Sequence, residues 1–332
     1  FLPNIKNNIS FDERKFEIKN IKKDFLLKQW KTVKNFKYNK NISIESFSYG
    51  LEEREKIFLN SLGSYKIYKN TFCGHALELY YTYSDFSDVE YESKISSLNQ
   101  NIDLNFIKNI QEKLLRKSNP EKTKLNNGKY NITFDARLVG EFLNIITNAC
   151  SGEKIRQNQS MFSIKDLGKN ALDDKLTLVT NPSINLSAYN RKFDNEGIST
   201  EKLIIIKNGV LENIFLDSKN AKKFKQKPTG NPNFSNLELI GEFSKDYLKT
   251  SSFLFTNLMA LHTIDMITGK FALQGEGFEI KNGKLGNFIK NVGISGDLKS
   301  LFSSIYKLGD NIYTNSNIFT PGITFKNQNI IV

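Results

Sequence analysis

Two Asn-Gly pairs, each set between apolar runs, constrain this chain more than any other feature. Residues 203–206 and 210–215 flank Asn208-Gly209, and residues 278–280 and the run from Lys284 flank Asn282-Gly283. Both residue types tolerate positive φ, which a two-residue type I′ turn demands, and that turn suits the twist of paired strands. The C-terminal part is therefore expected to be strand-rich and antiparallel. Residues 42–92 also suggest antiparallel strands, with Gly50, Gly63 and Gly74 marking turns or bulges. Helical spacing occurs in between. Ile21, Phe25, Trp30 and Val33 mark the apolar side of one helix over 21–34, with lysines on the other. Asp103 caps a second helix carrying Leu104, Ile107, Leu114 and Leu115, stopped by Ser118-Asn119-Pro120. Asp135 caps a third, with Leu138, Val139, Phe142, Ile145 and Ile146 inward, ending near Ser151-Gly152 through a left-handed glycine. A last helix is expected over 297–308, with Leu298, Leu301, Phe302, Ile305 and Leu308 inward and Gly309 ending it.

The expected fold class is α+β: an N-terminal α/β lobe over 1–120 and a strand-rich C-terminal lobe over 125–332, divided by the polar stretch 117–128. A chain of 332 residues can build two sizeable cores. Hydrophobic residues make up 39% and charged residues 25%, the balance of a water-soluble globular protein. No apolar run reaches the roughly 20 residues that a spanning helix requires, so no membrane association is expected. The chain begins with Phe1, which predicts a further segment before it. Two cysteines, Cys73 and Cys150, cannot build a disulfide framework and read as small buried hydrophobes in a reducing, cytoplasmic setting. The net charge is +12, and residues 1–40 alone hold eleven Lys/Arg against four Asp/Glu. The lysines are dispersed among Asn and apolar residues without an Arg-rich run, so a compositional origin is favoured over nucleic-acid binding.

The stretch Phe193-Asp194-Asn195-Glu196-Gly197, then residues 203–211, then Thr229-Gly230-Asn231 follow one another in a distinctive order. Upstream stand Ser163-Ile164-Lys165-Asp166-Leu167-Gly168-Lys169, Leu176-Thr177-Leu178 and Asn181-Pro182. Downstream stand Ile267-Thr268-Gly269-Lys270-Phe271, the hairpin 277–285, Ile294-Ser295-Gly296-Asp297-Leu298, Leu308-Gly309-Asp310-Asn311 and Ser316-Asn317-Ile318. From Tyr130 to the end this series resembles the TldD/PmbA family of peptidases, first described as modulators of DNA gyrase. A weaker likeness covers 36–83, where Asn60-Ser61-Leu62-Gly63 resembles a family turn. The resemblance implies long antiparallel sheets enclosing a cavity at a dimer interface. It further implies a heterodimer in which a TldD-like chain supplies zinc and a general base, and it implies small, unfolded or modified peptides as substrates.

The resemblance places the zinc-binding HExxxH motif of the TldD-like branch on the helix beginning at Arg137. Aligned through Gly152, the ligand positions fall near Leu143 and Asn148 and the base near Asn144. None of these ligates zinc or takes a proton at neutral pH. Glu141 has no histidine partner, and residues 316–322 lack the cysteine of the zinc branch. The pattern is that of the PmbA, or TldE, branch, which lacks the motif, so no cofactor is expected in this chain and zinc is expected in a partner.

The chain's two histidines, His75 and His262, lie in different lobes. Cys73-Gly74-His75 supplies two ligands where zinc requires three or four. No G-x-S-x-G elbow is present, and Lys227-Pro228-Thr229-Gly230-Asn231 lacks the P-loop pattern. Asp194 and Glu196 read as turn formers bonded to backbone. Together with Gly197, Thr229, Gly230 and Asn231 they are the candidate loops lining a substrate cavity. The expected function is the zinc-free partner subunit of a TldD/TldE-type metallopeptidase. The alternatives are a nucleic-acid-associated regulator, or a stand-alone hydrolase with an unrecognised site.

Overall fold

The computed structural model describes residues 8–118, 126–230 and 233–332. It divides into two compact units, one built from the N-terminal residues together with Ile184–Tyr189, the other from the remainder. The fold is α+β. Among the described residues, no helix is long and apolar enough to cross a membrane.

The N-terminal unit runs β1 (Ile9–Asp12), α1 (Lys23–Lys34), β2 (Ile42–Leu59), β3 (Tyr65–Tyr83), β4 (Phe86–Ser96) and α2 (Leu104–Lys117). β2, β3 and β4 form an antiparallel meander, and β1 joins β3 in parallel. β2 and β3, of 18 and 19 residues, are the longest strands among the described residues. Alternation explains the sheet's orientation. Leu77, Leu79 and Tyr81 of β3 point to one face and bury against Val33 of α1 and Ile107, Ile110 and Leu114 of α2. Asp103 caps α2 by accepting from the Asn105 N–H at 2.9 Å. Ile184–Tyr189 belongs to this unit through its backbone: Ser97 N–H donates to the Leu186 carbonyl, and the Asn70 amide to that of Ala188.

Two expectations for this unit need correction. Gly50 and Gly74 mark neither turn nor bulge: they sit directly opposite one another inside β2 and β3, and the register shift lies at Ile44/Ser46. Trp30 does not join the core. It is 40% exposed and stacks on Phe47 at 6.0 Å, while Gln29 is buried in its stead. The reason is specific: the Gln29 side chain donates to Asn101 and accepts from the Ile102 N–H, so its polar atoms are satisfied inside.

The C-terminal unit continues with β5 (Gly128–Phe134), α3 (Ala136–Ala149), α4 (Gly152–Arg156), β6 (Thr177–Thr180), β7 (Leu203–Lys207), β8 (Val210–Leu211), α5 (Ser218–Phe224), β9 (Leu237–Ile240), β10 (Phe243–Ser244), β11 (Phe253–Leu258), β12 (Lys270–Lys281), β13 (Lys284–Asp297), α6 (Leu298–Phe302), β14 (Ile305–Gly309), β15 (Ile318–Phe319) and β16 (Ile323–Ile331). One sheet runs β10-β14-β16-β13-β12-β11-β5, and β5 pairs β16 as well as β11, so five strands close into a ring. A second sheet runs β15-β9-β6-β7-β8. Phe134 and Phe142 stack at 5.1 Å in the core, joining β5 to α3. Both Asn-Gly turns form as expected, with φ of 47° and 78° at Asn208-Gly209 and 53° and 74° at Asn282-Gly283.

The expected helix over 297–308 is only half helix. α6 ends at Phe302, and β14 follows, with Ile305 paired to Phe325 of β16. Leu298, Leu301, Phe302, Ile305 and Leu308 are all buried, so the apolar period was real but two elements share it. Gly152 is likewise not a left-handed cap. It opens α4, and a Cβ there would meet the Phe215 carbonyl oxygen at 2.8 Å and the Leu216 side chain at 2.5 Å. Close approach, not positive φ, requires glycine there.

Candidate functional site

The loop 193–199 is organised by one buried carboxylate. Phe193 anchors it in the core at 1% exposure, and Asp194 is equally buried. Asp194 Oδ1 accepts from the backbone N–H of Glu196 at 2.8 Å and of Ile198 at 2.9 Å, while the Asp194 N–H donates to the Ile198 carbonyl. Gly197 takes φ of 75° to close the turn. Asp is suited to this because its short side chain can bond its own backbone two residues on. Burial draws the nearby Arg191 guanidinium below its usual range, and the Asp194 charge opposes that shift.

The neighbouring segments lock onto this loop. Glu196 Oε2 accepts from the Ser218 N–H at 2.7 Å, in the first turn of α5. A carboxylate is favoured there by the unpaired N–H groups of the helix start. Asp217 caps the same helix through the Asn220 N–H. Thr229 Oγ1 accepts from the Leu216 N–H at 3.1 Å, and the Thr229 N–H donates to the Leu216 carbonyl. Gly230 has φ of 68°, and a Cβ there would stand 2.2 Å from the Ser199 carbonyl oxygen. Asp194, Glu196, Gly197, Thr229 and Gly230 thus belong to one interlocked set of loops. Asn231 lies outside the described residues.

α3 presents a different chemistry. Asp135 caps it through the Leu138 N–H at 2.8 Å, and Leu138, Val139, Phe142, Leu143 and Ile146 are buried. Glu141 and Asn144 are exposed, and Asn148 is half-buried. Asn148 donates to the Asn144 side-chain oxygen at 2.9 Å, one amide engaging the other. Partial burial raises the Glu141 carboxyl above its usual range, opposed by Arg137 one turn back. This donor set does not fit zinc: Leu143 is apolar and fully buried, and the asparagines offer neutral amides.

The histidines stand elsewhere. His75 is buried in the N-terminal unit, stacked on Tyr49 at 5.8 Å with the Phe106 ring edge-on at 4.9 Å. Neither ring nitrogen has a hydrogen-bond partner among the described residues, and burial, aided by Lys94, draws its pKa down to about 4. Cys73 Sγ lies 3.2 Å from the Tyr49 hydroxyl, which donates to the Gln100 carbonyl. His262 is exposed in a short 3-10 turn. Among the described residues no three His, Cys, Asp or Glu side chains are grouped to hold a metal ion.

Two concave surfaces escaped the sequence analysis. In the C-terminal unit, Lys175, Thr177, Asn208, Ile240, Phe243 and Tyr306 line a cavity of about 590 Å³. In the N-terminal unit a groove of about 570 Å³ runs over Gly50, Gly74 and Ala76 between Phe72, Tyr91 and Ile95. The Gly50–Gly74 pair was its one sequence signal, visible only once the register is known.

The profile of the PmbA/TldA metallopeptidase C-terminal domain matches residues 127–332. A metalloprotease PmbA homolog of Buchnera aphidicola subsp. Acyrthosiphon pisum is 27% identical over 284 residues, spanning 79% of this chain and 59% of its own length. The metalloprotease PmbA of Escherichia coli O157:H7 is 28% identical over 199 residues, spanning 59% of this chain and 44% of its own. The chain thus spans about half the length of these curated relatives. A crystal structure from Bacteroides thetaiotaomicron, described as a candidate modulator of DNA gyrase, superposes with a TM-score of 0.85 at 26% identity, covering 98% of this chain and 75% of that one. TldE of Thermococcus kodakarensis shares the fold, with a TM-score of 0.76 at 21% identity over 93% of this chain and 73% of that one.

Proposed function

The chain belongs to the PmbA/TldD metallopeptidase family, and from that premise we propose that it is the zinc-free partner subunit of a TldD/TldE-type heterodimer acting on unfolded or modified peptides in the cytoplasm. The observation that carries the proposal is the composition of α3. Where the resemblance places zinc ligands and a base, this chain has a buried leucine and two asparagines bonded to one another. Water attacks an amide at neutral pH only with an activating metal or base, and the one acid of α3, Glu141, has no histidine partner with which to hold a metal. The zinc and base would come from a TldD-like homologue. The interlocked loops around Gly197 and Gly230 would serve as walls for an extended peptide, held by backbone hydrogen bonds that tolerate varied sequence.

The test is co-purification with a zinc-carrying homologue, with metal analysis and a peptide-cleavage assay. This chain alone should hold no stoichiometric zinc and cleave nothing, and the mixture should cleave unstructured peptides. One tightly held zinc per isolated chain, or robust cleavage without the partner, would refute the reading. Sequence-specific DNA binding that survives physiological salt would favour the regulator suggested by the gyrase-modulator description of a structural relative.

A further inference from the structure

Five lysines gather on one short stretch beside the candidate loops. α5 carries Lys219, Lys222 and Lys223, and Lys225 and Lys227 follow it, all exposed. Helix positions three and four apart share a face, so the first three project together, opposite the buried Asn220 and Ala221. Lys225 caps the helix in the left-handed conformation, with φ of 55°, and the Gln226 N–H returns to the Ala221 carbonyl at 2.9 Å. The chain therefore folds back at the end of α5.

Ordinary helix electrostatics explains Lys222 and Lys223, which lie in the last turn where free carbonyl groups favour cations. It does not explain Lys219. That residue stands in the first turn, where a cation opposes the helix dipole and the Asp217 and Glu196 carboxylates already serve the free N–H groups. Among the described residues Lys219, Lys223, Lys225 and Lys227 form no ion pair. These four ammonium groups face solvent, open to an anionic ligand. The stretch is also tied at both ends to the candidate loops, through Ser218 to Glu196 and through Thr229 to Leu216.

We propose that this lysine face receives the acidic, Asp- and Glu-rich part of an extended peptide and presents it to the adjoining loops. The inference rests on the peptide-handling reading above and assigns it a substrate class. A peptide fits better than a nucleic acid because residues 218–227 offer no exposed ring on which bases could stack. The one aromatic of α5, Phe224, packs against the core.

The test uses the full chain without zinc or partner and two fluorescent, unstructured peptides of equal length. One is rich in Asp and Glu, and the other carries Asn and Gln in their place. The acidic peptide should bind about tenfold more tightly at low salt, the advantage fading as salt rises. The combined variant Lys219→Gln, Lys223→Gln, Lys227→Gln should lose that advantage and bind the neutral peptide as before. The variant Lys28→Gln, Lys31→Gln, Lys34→Gln on α1, with the same net charge, should keep it. Lys225→Gln with Lys227→Gln, outside the helix, gives a second reading that does not depend on the stability of α5. Equal binding of the two peptides, or equal loss in the α1 and α5 variants, would overturn the proposal. So would single-stranded DNA that outcompetes the acidic peptide on the same face. Failure here with intact partner-dependent cleavage removes only this inference, whereas acidic preference without partner capture removes the subunit reading.

Discussion

Asp194 offers the sharpest check on how the candidate loops are built. In Asp194→Ala the backbone N–H groups of Glu196 and Ile198 lose a carboxylate acceptor that holds them at 2.8 and 2.9 Å. Hydrogen bonds to charged groups contribute roughly 1.5–3 kcal/mol each. Both donors belong to half-buried residues that water can partly reach, so the lower end applies, giving a loss of about 3 kcal/mol. Asp194→Asn keeps an oxygen at the same place but gives up its charge and its attraction for Arg191, and should cost about 1–2 kcal/mol. Urea unfolding measures both, and the Ala variant should melt about 4 °C lower. A cost for Asp194→Ala below about 0.5 kcal/mol, or equal costs for both variants, would refute the assignment of Asp194 as the loop's organiser. Function supplies a second arm. Asp194→Asn, assayed with a zinc-carrying partner well below its melting point, should retain most peptide cleavage, because Oδ1, which an asparagine oxygen can replace, is the atom that holds the loop backbone. Abolished cleavage in a protein that melts normally would instead give Asp194 a chemical role.

Further outcomes follow from the same geometry. Gly230→Ala combines a positive φ with a Cβ 2.2 Å from the Ser199 carbonyl oxygen and should destabilise the chain by about 2 kcal/mol in urea unfolding; a neutral result would show that the contact between the two loops is not formed. His75 has a folded pKa of about 4 against an ordinary 6.5, so the unfolded chain binds the proton more readily between those values. Its contribution is complete above pH 6.5 and is lost as pH falls towards 4. His75→Phe should shrink the stability difference between pH 7.5 and pH 4.5 by about 2 kcal/mol, and an unchanged difference would place the histidine in water. Burial pushes the Cys150 thiol up to about 12, and Cys73 is buried too, so a thiol reagent should label neither until denaturant is added. Rapid labelling of native protein would contradict that packing.

What the sequence could disclose was local. The Asn-Gly turns and the Asp103 and Asp135 caps were legible because one or two residues decide each of them. The order of motifs from Phe193 onward was legible because it repeats a known series. Long-range closure was not: the pairing of Ile323 with Phe134 that completes the strand ring joins residues far apart in the chain, and no local signal encodes it. Trp30 and Gln29 exchanged their expected places because a polar partner from 101–102 satisfied the glutamine inside. The apolar period after Asp297 could not show that a helix and a strand divide it. The cavity beside Tyr306 draws on segments around Lys175, Asn208, Ile240 and Tyr306, so it exists only once the sheets are assembled.

The proposed role of α3 is consistent with the way its packing holds it in place. α3 is held by Leu138, Phe142, Leu143 and Ile146 on its inner side and by the Asp135 cap at its start. One of these contacts, Leu143, occupies a position where the resemblance places a metal ligand. Asn148 donates to Asn144 one turn away on the solvent side of the helix. A histidine in place of Leu143 would enter a fully buried apolar site, where an imidazole without hydrogen-bond partners costs roughly 1–3 kcal/mol. The packing that stabilises α3 thus opposes a metal ligand at position 143, and on the proposed reading the chain contributes to peptide hydrolysis through shape, backbone hydrogen bonds and surface charge.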